Sequence, residues 1–205
     1  MEKDLEKRIA FLEESKFTHF NLAKLNSGPI EPIGIYAMMV LKRSLSLVFG
    51  FATMLRERNF LCAAPLIRLQ IDNLLRFRAA FLVDNQSKFV AEVIEGVEVR
   101  KQKDRNGNKM TDDYLQRVLS SDYPWLRDSY KNASGYIHLS DVHFFNTVRT
   151  SKDGEEGALD VYIGPDDKLI GNEVYQEALE EMIFITHTLL TYLADWSTSK
   201  GNSEA

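Results

Sequence analysis

Two constellations of residue types are spaced so that they could do chemistry. The first is Arg68-x3-Asp72-x3-Arg76. In a helix, residues four apart stack on one stripe, so an ionised Asp72 would lie between two guanidinium groups. Such a stripe either ties helices together as an ion-pair network or forms an anion-binding wall. In the wall, an arginine presents its planar pair of donors to phosphate or carboxylate. The second constellation is Tyr130-x3-Ser134-x3-His138, again one helical face, with Asp141 and His143 just beyond it. The His138 imidazole could work as a general base with Ser134 or Tyr130 in reach, or it could close a helix end by bonding a backbone carbonyl. No Gly-x-Ser-x-Gly elbow presents Ser134 as a hydrolytic nucleophile.

Other patterns argue less or exclude more. His138, Asp141 and His143 offer three potential metal ligands within six residues, but the spacing fits no common signature and a fourth ligand is missing. No metal or other cofactor is therefore expected. The run Arg100-Lys101-Gln102-Lys103-Asp104-Arg105-Asn106-Gly107-Asn108-Lys109 could touch nucleic-acid phosphate. Without interleaved aromatic residues it reads better as a solvated loop. Phosphate-binding glycine loops and the His-Glu-x-x-His zinc motif are absent from the chain. His19 and His187 fall near helix surfaces and take no role.

The elements that must position these groups follow from hydrophobic periodicity. Helices are predicted over residues 3–25, 33–57, 60–83, 86–103, 111–123, 124–138 and 173–196. Ser27-Gly28-Pro29 and Pro32 break the chain after the first, and Thr111-Asp112-Asp113 offers an N-cap with acidic first-turn residues. The helix over 60–83 is apolar nearly all round, which predicts a central place in a bundle. Gln70 and Arg78 fall on its apolar side, so each must find a partner or face a polar cavity. Residues 143–164 change character. Phe144-Phe145-Asn146-Thr147-Val148-Arg149 and Leu159-Asp160-Val161-Tyr162-Ile163 read as a β-hairpin around a long loop. The expected fold is an all-α bundle of five to seven helices with one β-hairpin insertion near residues 143–164, in a single domain spanning 1–205.

Composition bounds the setting. Of the 205 residues, 44% are hydrophobic and 27% charged, as in ordinary globular chains. The net charge is −5, distributed as +1 over residues 1–57, +4 over 58–110 and −10 over 111–205. That balance opposes broad nucleic-acid binding but leaves a local basic patch. The lone Cys62, set among apolar neighbours, is expected to be a buried, inert thiol in a reducing compartment. The mixed-charge N-terminus and the short apolar stretch Ser44 to Leu55 suggest neither a signal peptide nor a membrane span. A cytoplasmic location is expected.

The segments Ala63-Ala64-Pro65-Leu66-Ile67-Arg68-Leu69-Gln70-Ile71-Asp72-Asn73-Leu74-Leu75-Arg76 and Tyr130-Lys131-Asn132-Ala133-Ser134-Gly135-Tyr136-Ile137-His138 resemble uncharacterised bacterial helical families. In outline these are similar to HEPN-type bundles, over roughly residues 33–140. The resemblance implies helical architecture and a homodimer. It also raises the activity of metal-independent ribonucleases of toxin and phage-defence systems, whose dimer interface holds an Arg-x4-His to Arg-x6-His motif. This chain departs from that motif, because the arginine nearest before His138 is Arg127, eleven positions earlier. The reading preferred on the residues is a binding module for a small anionic or nucleotide-like ligand, its polar pocket lined by Arg68, Asp72, Arg76, Tyr130, Ser134 and His138. The alternatives are a HEPN-type endoribonuclease, with His138 as acid/base and Arg68 or Arg76 stabilising phosphate, and a structural helical dimer without ligand.

Overall fold

A computed structural model describes residues 2–25, 31–138, 141–151 and 158–201. The Ser27-Gly28-Pro29 break and the hairpin loop over 152–157 lie outside these residues. The elements run α1 (Glu2–Leu25), α2 (Pro32–Arg56), α3 (Phe60–Ala79), α4 (Gln86–Ile94), α5 (Asp112–Leu119), α6 (Leu126–Ser134), α7 (Asp141–Thr147), β1 (Val148–Thr150), β2 (Leu159–Val161) and α8 (Asn172–Gly201). One 3-10 turn, Val99–Lys101, follows α4. The chain is thus an all-α bundle with one small antiparallel hairpin, in which Val148 pairs with Val161 and Thr150 with Leu159.

The helix starts are written in the local chemistry. The side chains of Asn59, Asn85 and Thr111 accept backbone N–H bonds from Cys62, Lys88 and Tyr114, capping α3, α4 and α5. Pro32 opens α2, where its missing N–H costs nothing. Gly96 explains why α4 stops at Ile94 instead of running to residue 103. It takes φ of 92°, letting Val97 N–H reach Glu92 O at 2.8 Å and Gly96 N–H reach Val93 O at 3.0 Å. The hairpin is also shorter than its composition suggests, since Phe144 to Thr147 are helical in α7 and pairing begins only at Val148. Over Asp141–Thr147 a helix satisfies the backbone internally, whereas a strand there would need a partner that β2, three residues long, does not supply.

As its all-round apolar pattern predicts, α3 is central, packing on α2, α5, α6 and α8. Ile71, Leu74, Leu75 and Phe77 are fully enclosed. Phe77 meets Phe81, Tyr192 and Trp196 edge-on at 5.4–5.6 Å. By length and composition α2 could span a bilayer, and here it packs on α1, α3, α4 and α8 with Tyr36, Val40, Val48 and Phe51 buried. Arg58, between α2 and α3, takes φ of 57°, a strained value for a residue with Cβ. Contacts to its carbonyl from the Tyr175 hydroxyl (2.8 Å) and Asp167 N–H (2.8 Å) hold it there.

Gln70 is fully buried. It lies in a closed polar chain through the core. Its Nε2 donates to Ser44 Oγ at 2.7 Å and Thr186 Oγ1 at 3.0 Å, while its Oε1 accepts from Asn73 at 2.9 Å. His19 completes the chain, contrary to the surface placement expected of it, with only 1% of its area exposed. Its Nδ1 faces the Ser15 carbonyl at 2.8 Å, so that nitrogen carries the proton, and Nε2 accepts from the Ser44 hydroxyl at 2.9 Å. Cys62 corrects the reading in the other direction. Its neighbours Ala63 and Ala64 face the core, but the thiol itself is exposed on the first turn of α3.

Candidate functional site

The Arg68–Asp72–Arg76 stripe lies on α3 where α2, α5 and α6 meet it, and it is largely covered. The side chains of Arg68, Asp72 and Arg76 are 10%, 17% and 20% exposed. Asp72 receives Arg76 Nε at 3.0 Å, with Arg68 farther away at 3.9 Å. The place an incoming anion would take between the two arginines is filled by the chain's own Asp112, the first residue of α5. Asp112 Oδ2 accepts from Arg68 Nη2 at 2.9 Å and from the Tyr130 hydroxyl at 2.8 Å, and its Oδ1 accepts from Arg76 Nη2. The Arg68 guanidinium also lies 3.6 Å from the centre of the Tyr130 ring.

Sequence reasoning missed two members, Asp112 and Arg43. Arg43 reaches in from α2, donating from Nη1 to Asp72 Oδ2 at 3.1 Å and to Asn73 Oδ1 at 2.5 Å. Its position beside the most apolar stretch of the chain was the available signal. In the sequence Asp112 stands only as a helix-start acid, and nothing local ties it to arginines 36 and 44 residues away.

The cluster holds three guanidinium groups against two carboxylates. Burial works against the Arg76 charge, but Asp72 and Asp112 outweigh it and hold its pKa above the ordinary arginine value. Burial likewise pushes the Asp112 carboxyl up, and Arg76, the Tyr130 hydroxyl and Arg68 outweigh that push and leave it below the usual range. Tyr130 is raised by burial and by donating to Asp112. One donor remains unsatisfied: Arg76 Nη1 is closed off from solvent and meets no acceptor.

Ser134 and His138 stand apart. α6 runs antiparallel to α3, since Asp122 meets Arg78, Tyr130 meets Arg68, and the Tyr136 ring meets Phe60. Ser134 spends its hydroxyl on the Tyr130 carbonyl at 2.6 Å. His138 is exposed and lies two residues beyond Tyr136, whose ring meets Phe60 at the start of α3. Arg68 lies eight residues beyond Phe60 on α3, about 12 Å along the axis from the residue that Tyr136 meets. The expected pocket of six residues therefore divides: Arg68, Asp72, Arg76 and Tyr130 are brought together, and His138 is not placed beside the arginines. Among the described residues, no group of three His, Cys, Asp or Glu side chains could hold a metal ion, the His138, Asp141 and His143 set included.

The remaining basic residues are mostly engaged. Arg78, on the apolar side of α3, donates to the Tyr192 hydroxyl at 2.9 Å and pairs with Asp122 at 3.1 Å, while its Nε is buried without an acceptor. Arg105 caps the chain after α3, donating to the carbonyls of Phe81 at 2.8 Å and Leu82 at 3.2 Å. Arg100 and Lys101 both pair with Glu98. The basic run is thus a built loop, with Asp104 accepting from Asn106 N–H, Asn108 N–H and the Tyr114 hydroxyl.

Comparison with known protein families, with curated proteins and with solved structures finds no match to this chain.

Proposed function

We propose that the protein is a non-catalytic helical binding module that takes one phosphate- or carboxylate-sized anion at the Arg43–Arg76 edge of this cluster. The observation that carries the reading is the imbalance of charge. Three guanidinium groups surround two carboxylates, and Arg76 Nη1 is buried without an acceptor. A partly buried cation without full compensation is costly, and an anion reaching Nη1 would relieve that cost. Arg43, 41% exposed, is the member through which an anion would enter.

The test is thermal unfolding with inorganic phosphate titrated against chloride at constant ionic strength. A saturable shift is expected, worth about 2.7 kcal/mol at a hundred times the dissociation constant. Arg43→Gln should weaken it at least tenfold. A wild type indifferent to phosphate, or an unchanged affinity in Arg43→Gln, refutes the reading and favours the ligand-free structural dimer. Incubation with RNA covers the competing activity: cleavage abolished by His138→Ala would replace the binding module with an endoribonuclease. In that case His138 would have to meet phosphate held by the arginines of a second copy.

A further inference from the structure

A separate cavity opens where α3, α6 and α8 meet. Its volume is about 170 Å³, and its wall includes Phe60, Ile67, Asn132, Tyr136, Glu177 and Glu181. That is room for roughly five or six non-hydrogen atoms, if each takes about the 30 Å³ of a liquid water molecule. The aromatic side is held in place, because Phe60 packs edge-on against Tyr136 at 5.4 Å and Tyr175 at 5.2 Å. On the acidic side, Glu177 is exposed and Glu181 is partly buried. Glu177 and Glu181 are one helical turn apart on α8, a spacing at which like charges repel. Among the described residues, no lysine or arginine forms an ion pair with either. Burial raises the Glu181 pKa against a weaker downward pull from the Ser129 hydroxyl.

We propose that this cavity is a binding site for a small organic cation of the alkylated-ammonium class. The walls select for that chemistry in two ways. A positive charge is drawn both to carboxylates and to aromatic rings, and its methyl or methylene groups match the apolar part of the wall around Ile67. A divalent metal ion is a poor fit. Calcium and magnesium require six or more oxygen ligands, and this wall offers two carboxylates, one amide and aromatic surface. The site does not depend on the anion reading, since none of Arg43, Arg68 and Arg76 lines the cavity.

The experiment is thermal unfolding of the full chain in tetramethylammonium chloride against potassium chloride of equal ionic strength. Saturable stabilisation specific to the organic cation is expected for the wild type. Glu181→Gln should weaken the apparent affinity at least tenfold. That variant should fold, since a neutral amide is easier to bury than a carboxylate. Tyr136→Leu is a second variant, expected to weaken binding while leaving both carboxylates in place. Arg43→Gln should leave cation binding unchanged, which separates this site from the anion cluster. Stabilisation that does not saturate, that potassium matches, or that survives undiminished in Glu181→Gln overturns the proposal.

Discussion

Replacing Asp112 by alanine removes the one carboxylate that ties α5 to both α3 arginines and to Tyr130 on α6. The variant leaves Arg68 and Arg76, 10% and 20% exposed, without that anion. Breaking a fully buried ion pair from one side costs about 3–5 kcal/mol. Asp112 is itself 31% exposed, so water recovers part of that loss, and about 2–4 kcal/mol is the expected destabilisation. For a chain of this length that lowers Tm by on the order of 5–15 °C. Chemical denaturation of wild type, Asp112→Ala and Asp112→Asn, repeated across pH, measures it. The folded-state carboxyl is held below its usual range, so its contribution is complete above the unfolded value of about 3.9. It fades as pH falls through the depressed folded value, and the gap between wild type and variant should narrow there. A gap under about 0.5 kcal/mol at neutral pH, or one that does not change on acidification, would show that the cluster is not what holds α5 in place. The same variant also probes the anion reading with the opposite sign. Freed of Asp112, Arg68 and Arg76 should bind inorganic phosphate more tightly even as the ligand-free protein becomes less stable.

Two further outcomes follow from placements that composition alone had wrong or left blank. The exposed Cys62 should be alkylated by a maleimide in the native protein at the rate of an open thiol, read as one mass increment without denaturant; protection until unfolding would contradict its position. His19 is neutral in its buried site and its pKa is lowered by burial, against a weaker upward pull from the Ser15 carbonyl. Its contribution is therefore complete above the unfolded value of about 6.5 and is lost as pH falls below it. His19→Gln should flatten that part of the stability–pH curve, and an unchanged slope between pH 7 and 5 would rule His19 out as its source.

Much of the scaffold was readable from local signals because those signals act locally. The all-round apolar pattern of residues 60–83 identified the central helix, and Thr111 was placed as an N-cap by its own side chain. The four-residue spacing of Arg68, Asp72 and Arg76 put one carboxylate between two arginines before any packing was known, and Asp72 does lie within 4 Å of both. Where the reading slipped, a different physical effect prevailed. Gly96 ended α4 early through its left-handed backbone, and Phe144 to Thr147 became helical for want of a strand partner.

Tertiary structure alone decided what surrounds the charges. Asp112 and Arg43 come from other helices, and no periodicity in α3 could announce that a carboxylate 36 residues beyond Arg76 would occupy the space between the arginines. Nor could the matching spacing of Tyr130, Ser134 and His138 say that only the first would reach the cluster. That depended on the antiparallel run of α6, which carries each later residue further toward the start of α3. Helical spacing determines which side chains share a stripe, because the backbone geometry is the same everywhere. What a stripe meets is set by how helices distant in sequence pack around the apolar core.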